Sequence, residues 1–435
     1  MPRSIPSTNI NIGLFLSRSK RSKSSRIAPE RGGPSDNHHL LAYQIPFVSL
    51  RGLVKALAFR VVSLYALVAQ WWSARPTVLF NIEFDHGDVL EGYVIPDGFS
   101  DVSQIAVFDR DDNLGVFPCD QLRPAVVSSG RHETGRVGFR LDSDKIPHLG
   151  YRSRLSIREA KTGVLVYRRA QIDSPVQKKV FRLETQLFPM RKFDESCGDF
   201  FQYRLDSIER FGHETSQQAF HMTFMESVYL SGRLLMKNYE NYLANGFQGV
   251  VLLHNPYYEM GLRIFLLKRM ATMALPFLGP RDQMILKPAA EYFADANLED
   301  ADALKRLLKR APGKVTGVLR SPMTRQFAAT SFEQTVTRRD AAPAIDLLSR
   351  FSVIGHVDDL IAFQRTLSSV LEIPVSDEVL PARHAQLDRL ASTLSTLNIA
   401  ELLLEEDLIF DHYVRRAIKF AALSTQDTHA KSKEN

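Results

Sequence analysis

What most limits how this chain can fold is a change of pattern near residue 173. Before it, apolar residues come in short runs that alternate with polar ones: Val78 to Phe84, Val89 to Ile95, Ile105 to Phe108, Arg136 to Leu141, Leu155 to Ile157 and Val164 to Tyr167. Turn residues such as Pro96-Asp-Gly98, Asp111-Asp-Asn113 and Thr162-Gly163 separate them. Alternation with period two marks strands with one buried face, so residues 76–172 are expected to form a β-sandwich. After Asp173 the pattern turns to long helix-compatible stretches divided by short apolar runs. Thr215 to Tyr242 reads as largely helical, Gly249 to Leu253 as a strand, and Tyr257 to Ala274 as the helix that follows His254-Asn-Pro256. Strands alternating with helices imply a parallel sheet with flanking helices over 173–425. The expected fold class is therefore α/β, with an N-terminal β-sandwich. Sites in such sheets lie at the carboxyl ends of the strands.

The excess of positive charge is confined to one end. Seven of the 55 Lys and Arg and one of the 49 Asp and Glu fall within residues 1–31, which leaves the remainder balanced. A neutral body lacks the electrostatic footprint of a nucleic-acid-binding protein, so no nucleic-acid partner is expected. Residues 1–40 read as a disordered basic tail and 426–435 as a disordered polar one. Residues 41–75 form an amphipathic segment in which Arg51, Lys55 and Arg60 interrupt an apolar run that ends in Trp71-Trp72. The uncharged stretch from Val61 stops at Arg75, short of the about 20 residues needed to span a bilayer. Such a segment suits either peripheral contact with an anionic membrane surface or packing on the protein body. The two cysteines, Cys119 and Cys197, have no metal-ligand spacing and no disulfide framework, which fits a reducing, cytoplasmic setting.

Several motifs are missing. There is no glycine-rich dinucleotide fingerprint, no Walker loop, no His-Glu-x-x-His and no Gly-x-Ser-x-Gly. Two segments carry the remaining chemistry. In Val315-Thr-Gly-Val-Leu-Arg-Ser-Pro-Met-Thr-Arg325, an apolar run read as a strand breaks into Arg320-Ser321-Pro322 ahead of a helix. Proline at the first helical position makes Ser321 the expected N-cap, with Arg320 and Arg325 as cations for a phosphate. In Phe211-Gly-His-Glu-Thr-Ser-Gln-Gln-Ala-Phe-His-Met-Thr223, Thr215 and Ser216 are expected to open a helix near an anion, and His213 or Glu214 to act as a base. His221 and Arg233 lie further along that expected helix, Tyr257-Tyr258-Glu259 is a further candidate to line the same cleft, and Arg281-Asp282 and Lys287 are candidates to add charge to it.

The order of motifs near the C-terminus resembles that of the carbohydrate sulfotransferases. After Arg320-Ser-Pro-x-x-Arg325 come an apolar strand and helix, Phe351-Ser-Val-Ile-Gly355 and His356 to Leu367, and then the acidic segment Leu402-Leu-Leu-Glu-Glu-Asp-Leu-Ile-Phe-Asp-His-Tyr413. The family pattern is strand, Arg-Asp-Pro-x-x-Arg, strand-Gly-helix and an acidic Asp-Leu-x-x-Tyr helix. The resemblance implies a P-loop sulfotransferase-like fold and a donor, 3′-phosphoadenosine 5′-phosphosulfate, whose 3′-phosphate is contacted at Arg320. It also implies that the acid of Glu405, Glu406 and Asp407 is mainly structural. Ser321 replaces the family aspartate, and Ala328 stands where the family has a serine. No Lys-Thr-Gly-x-Thr loop for the 5′-phosphosulfate occurs upstream.

These readings lead to an expected sulfuryl transfer to a hydroxyl of a glycan or glycolipid acceptor, such as a cell-surface polysaccharide or lipopolysaccharide, with no metal. Arg320, Ser321, Arg325, Thr215 and Ser216 would hold the donor, and His213 or Glu214 would take the acceptor proton. The alternatives are a noncatalytic scaffold of polysaccharide biosynthesis and a sugar-nucleotide-dependent glycosyltransferase. The cytoplasm, with peripheral contact at the inner membrane, is the expected location.

Overall fold

The structure, a computed structural model, describes residues 78–431 except 171–173 and 223–224. The basic tail and amphipathic segment expected over 1–75 lie outside the described residues. The first strands stand close to where the alternation places them. They are β1 (Leu79–Asp85), β2 (Val89–Ile95), β3 (Gln104–Asp109), β4 (Asp112–Pro118) and β5 (Gln121–Leu122), then helix α1 (Pro124–Ser128), β6 (Arg136–Asp142), β7 (Leu155–Glu159) and β8 (Leu165–Arg168). They form two four-stranded antiparallel sheets, ordered β1-β2-β6-β5 and β4-β3-β7-β8. The turn between β3 and β4 passes through Arg110 at φ 55 and leaves Asp109 paired with Asp112, so the acidic residues there form a hairpin tip. β4 escaped the sequence reading because it is half exposed along its whole length and shows no apolar alternation.

The second sheet type is parallel. It contains β9 (Lys179–Leu183), β10 (Tyr203–Leu205), β11 (Val228–Gly232), β12 (Phe247–Leu253) and β13 (Val353–His356), in the order β10-β11-β9-β12-β13. Helices α2 (Arg191–Gly198), α3 (His213–Phe220) and α4 (Glu240–Ala244) lie between the first four strands in sequence. Between β12 and β13 run α5 (Pro256–Met270), α6 (Pro280–Phe293), α7 (Ala301–Arg310), α8 (Gly313–Leu319), α9 (Pro322–Ala328) and α10 (Ala341–Leu348). The chain ends in α11 (Leu360–Leu371), α12 (Ala385–Ser395), α13 (Asn398–Leu403) and the long α14 (Glu405–Lys431), which continues past residue 425.

Both faces of the parallel sheet are covered, which is why its strands are apolar throughout. Val180, Tyr229, Val250, Leu252 and Val353 pack with Phe193 and Phe363 on one face. Phe181, Leu183, Leu230, Val251 and Leu253 pack with Phe327 and Phe410 on the other, in a core that also takes in Phe80, Leu90, Val107 and Ile157 of the antiparallel sheets. Three carbonyls tie the two regions further, since Arg168 donates to Gly198, Phe201 and Gln202 at 2.6–2.7 Å. The change of pattern at residue 173 is a change of strand chemistry inside one compact unit that contains all the described residues.

Two expectations are corrected. Thr215 to Tyr242 is not a single helix, because β11 interrupts it and runs beside the central strand β9. Val228-Tyr-Leu-Ser-Gly232 is fully buried, and a short apolar run of this kind has no period that tells strand from helix. Conversely, Val315 to Leu319 lies in helix α8 rather than in a strand. Its buried residues, Val315, Val318 and Leu319, have the i, i+3, i+4 spacing of a helix face. The Arg320-Ser-Pro-x-x-Arg325 segment therefore joins two helices, without the strand that precedes it in the sulfotransferase pattern. No helix among the described residues is long and apolar enough to cross a membrane.

Candidate functional site

Leaving β9, the chain runs to the β10 edge, returns through β11, and then crosses to β12 and β13 on the other side. The strand order thus reverses at β9, and a crevice opens beyond the carboxyl ends of such strands. A cavity of about 1000 Å³ occupies that place. Leu187 from the end of β9, Glu209 and His213 from the end of β10, Arg233 from the end of β11 and Arg263 from α5 reach it. Across from them α8 and α9 supply Lys314, Arg320 and Arg325, and the start of α6 supplies Arg281.

The charges of this wall are only partly neutralised within the protein. Arg233 is mostly shielded and committed, with Nη2 on both Glu209 and Asp282 and Nη1 donating to the Leu187 carbonyl at 2.8 Å. Arg263 pairs with Glu259 at 2.7 Å. By contrast, Arg281, Lys314 and Arg320 have no carboxylate within ion-pairing distance among the described residues. Arg281 lies over the Phe332 ring at 4.0 Å, a cation–π contact that orients the guanidinium without discharging it. Arg325 donates from Nη1 to the Gly317 carbonyl at 2.6 Å. Burial, together with the nearby Arg263 charge, lowers its pKa to about 10. On the cavity face of α8, Gly313 and Gly317 leave open space where a side chain would begin, so a ligand can approach that helix closely.

His213 and Ser216 line the cavity with Arg320 and Arg325, so four of the seven residues given a donor-binding or base role from the sequence converge there. His213 Nδ1 is 2.9 Å from the Tyr239 hydroxyl, which leaves Nε2 as the nitrogen able to exchange a proton with a ligand. The Ser216 hydroxyl is used inside the fold, donating to the Ile208 and Gly212 carbonyls at 3.1 Å. Thr215 is not at the cavity, and its Oγ1 accepts from the Val78 amide at 2.9 Å, anchoring α3 to the start of β1. Glu214 is exposed on the outer side of α3 and does not line the cavity, a correction to its expected place at the base position.

Ser321 is corrected more fully. It is completely buried in a left-handed conformation (φ 34), and its hydroxyl makes no cap bond to α9. It donates instead to Glu406 Oε2 at 2.8 Å. The cap comes from Asp407 of α14, whose oxygens accept from the Met323 and Thr324 amides at 3.1 and 2.7 Å. The anion at this helix start is thus the protein's own, and desolvation raises the Asp407 pKa to about 6. Glu406 and Asp407 hold the backbone from which Arg320 and Arg325 extend.

Glu209 is the carboxylate that the sequence reading missed. It lies just upstream of the polar Phe211–Thr223 segment, in an ordinary surface-like context that gives no signal of its burial. Gly232 at φ +156 makes the close approach possible, because a Cβ there would stand 2.4 Å from Glu209 Oε2. Burial raises the Glu209 pKa, opposed by the Arg233 guanidinium and backbone amide.

The first strand–loop–helix unit of the parallel sheet is closed on itself. A phosphate-binding unit of that kind points loop amides and a helix start at its anion. Here the loop is Glu184-Thr-Gln-Leu-Phe-Pro-Met190, and the Glu184 carboxylate itself accepts from the Gln186 amide at 3.1 Å and the Met190 amide at 2.9 Å. Arg182, fully buried, bridges Glu184 and Asp194, and Asp194 also accepts from the Tyr229 hydroxyl at 2.8 Å.

Glu259 provides a pH-dependent test of the buried ground beneath the cavity. Desolvation, opposed by Arg263 and reinforced by Glu184 and Asp407, raises its pKa to about 7. A carboxyl whose pKa is raised on folding binds more protons folded than unfolded between roughly pH 4.5 and 7. Its burial therefore costs stability above about pH 7, and that cost disappears as pH falls toward 4.5. Glu259→Gln is expected to flatten the rise in stability that wild type shows between pH 8 and pH 5, by up to about 3 kcal/mol. Urea unfolding at several pH values measures this, and parallel curves for the two proteins would contradict it.

No match is found for this chain among protein-family models, curated proteins or solved structures. Among the described residues, no group of three or more His, Cys, Asp or Glu side chains is arranged to hold a metal ion.

Proposed function

We propose that the cavity binds a nucleotide carrying more than one phosphate or sulfate group, and that the protein is a sulfotransferase-like enzyme. The observation that carries this reading is the convergence of Arg281, Lys314 and Arg320, each without a carboxylate partner, with Arg325 and His213 in one cavity at the carboxyl ends of a parallel sheet. Several cations converging on one concave crevice make its potential positive and attract an anion to it. The Arg320-Ser-Pro-x-x-Arg325 motif supports 3′-phosphoadenosine 5′-phosphosulfate as the donor, although α8 replaces the strand of the family pattern.

In the reaction, a hydroxyl oxygen of the glycan or glycolipid acceptor forms a bond to sulfur as the bond from sulfur to the 5′-phosphate oxygen breaks. The acceptor proton passes to His213 Nε2, and adenosine 3′,5′-bisphosphate leaves with the bridging electrons. The arginines oppose the charge that develops on the leaving phosphate, and positioning supplies most of the rate. This chemistry would take place in the cytoplasm, with membrane-associated glycolipid precursors as the acceptors within reach of a peripherally bound protein.

A noncatalytic scaffold of polysaccharide biosynthesis is the second reading, and one observation favours it. Glu184 fills the first strand–loop–helix unit with the protein's own carboxylate, where a donor phosphate would otherwise bind. Calorimetry with adenosine 3′,5′-bisphosphate separates the two readings. The enzyme reading expects micromolar binding that weakens with rising salt, whereas absence of heat at millimolar ligand would leave the scaffold. A sugar nucleotide in the same series tests the glycosyltransferase alternative.

A further inference from the structure

The inward face of α14 is fully used, with Asp407, Phe410, Asp411 and Val414 buried against the body. Its outward face is not. Tyr413 is 52% and Phe420 59% exposed, and Leu402 at the end of α13 is 62% exposed. Between α13 and α14 lies a groove of about 750 Å³ whose apolar lining includes Leu402, Leu408, Ile409 and Tyr413, with Glu401 and Glu405 on its rim. Isolated exposed apolar residues are ordinary on a protein surface, but two large ones on α14, with Leu402 of α13 beside an open groove, mark an interaction face.

The spacing along this face points to what covers it. Ile409, Tyr413 and Phe420 are four and seven residues apart and share one stripe of the helix. Glu405, His412 and Lys419 are seven residues apart and flank that stripe on one side. The outward charges are thus acidic toward the N-terminal end, at Glu401 and Glu405, and basic toward the C-terminal end, at Arg416 and Lys419. Two such helices laid antiparallel across a two-fold axis bring the same flank of each together. A register that sets Glu405 opposite the partner's Lys419 sets His412 opposite the partner's His412. The same register carries Phe420 to the level of the partner's Leu404, over the groove between the partner's Glu401 and the partner's Ile409. The charge-matched register thus also brings Phe420 to the α13 end of the partner's groove.

We propose that this face of α14 is a homodimer interface, with two copies antiparallel about an axis at His412, and with Phe420 of each protomer seated in the α13–α14 groove of its partner. Glu405, which also pairs with Arg338 of its own chain, faces the partner's Lys419 across the flank. The interface is separate from the cavity and does not depend on the function assigned to it.

Sedimentation equilibrium of the full chain tests the proposal. Wild type is expected to be dimeric at micromolar concentration. Phe420→Glu and Tyr413→Glu, both at exposed positions, are expected to be monomeric with an unchanged circular dichroism spectrum. Glu405→Lys and Lys419→Glu should each weaken self-association at least tenfold, because each places like charges at both two-fold-related contacts. An equimolar mixture of these two variants should dimerise again, since every cross-flank contact in the mixed pair joins opposite charges. A wild type that stays monomeric to roughly 100 µM overturns the proposal and leaves the face to a different partner. A wild-type dimer unaffected by Phe420→Glu and by charge reversal overturns it as well.

Discussion

Arg320→Ala is expected to weaken binding of adenosine 3′,5′-bisphosphate by roughly 10- to 100-fold while leaving thermal stability unchanged. The Arg320 side chain has no ion-pair partner among the described residues, so its removal strands no buried charge. A charge-assisted hydrogen bond to a phosphate is worth about 1.5–3 kcal/mol, and that range sets the expected loss. Arg281→Ala should behave similarly in binding, with a small added cost from losing the Phe332 contact. Arg320→Lys should recover only part of the affinity, because an ammonium keeps the charge but not the planar fork that grips two phosphate oxygens. Calorimetry of these three variants alongside wild type gives the comparison. If wild type binds and Arg320→Ala binds equally well, Arg320 is not a phosphate ligand and the motif resemblance loses its chemical content.

The largest effect on stability is expected at Arg182→Met, about 3–5 kcal/mol. Arg182 is fully enclosed, with Nε and Nη2 on the two oxygens of Asp194 at 2.5 and 2.6 Å and Nη2 also 3.1 Å from Glu184. Methionine fills most of the volume but leaves two buried carboxylates facing each other without a cation. Breaking one side of a buried ionic cluster costs far more than replacing all of it, because the survivors remain desolvated. Adding Asp194→Asn to Arg182→Met should therefore recover part of the loss. Urea midpoints with an unchanged m-value would give the sizes. A cost below about 1 kcal/mol would mean that water reaches the cluster and screens it.

This cluster also bears on function. It locks the loop Glu184 to Met190, the turn that follows the central strand. On the proposed reading, the phosphates of a donor would bind instead toward Arg281, Lys314 and Arg320 on the opposite wall of the crevice. An enzyme built in this way would depend more on side-chain cations and less on backbone amides than one with an open phosphate loop.

The legible parts of the molecule were those with a period. Alternation placed β1, β2, β3, β6, β7 and β8 almost to the residue, and Asn255-Pro256 announced the start of α5, where the Asn255 side chain accepts from the Tyr257 amide at 2.9 Å. Pro322 likewise marked the first position of α9. Runs without a period were misread in both directions. Val228 to Gly232 is a strand inside an expected helix, and Val315 to Leu319 a helix where a strand was expected. Both are short and apolar, so burial rather than local preference settles their conformation.

The candidate site divides in the same way. Arginines beside a proline-started helix and a histidine at a glycine-led helix entrance are local signals, and they brought Arg320, Arg325 and His213 into view. Which hydroxyls and carboxylates face the cavity is not a local property. Ser321 was expected to cap α9, but Asp407, more than eighty residues later in the chain, takes that position and turns Ser321 toward Glu406. Glu214 and Glu209 are equally polar in sequence, yet only Glu209 faces the cavity, because Gly232 lets the end of β11 pass against it. By itself the sequence determined the antiparallel strands, the parallel-sheet character of the later part and the two segments that meet at the cavity, since period and helix punctuation are written in neighbouring residues. Tertiary structure alone decided the conformation of the short buried runs, the partner of every buried charge and the cations left free to meet a ligand. Those outcomes depend on contacts between residues far apart in the chain, which desolvation makes decisive and which no local pattern encodes.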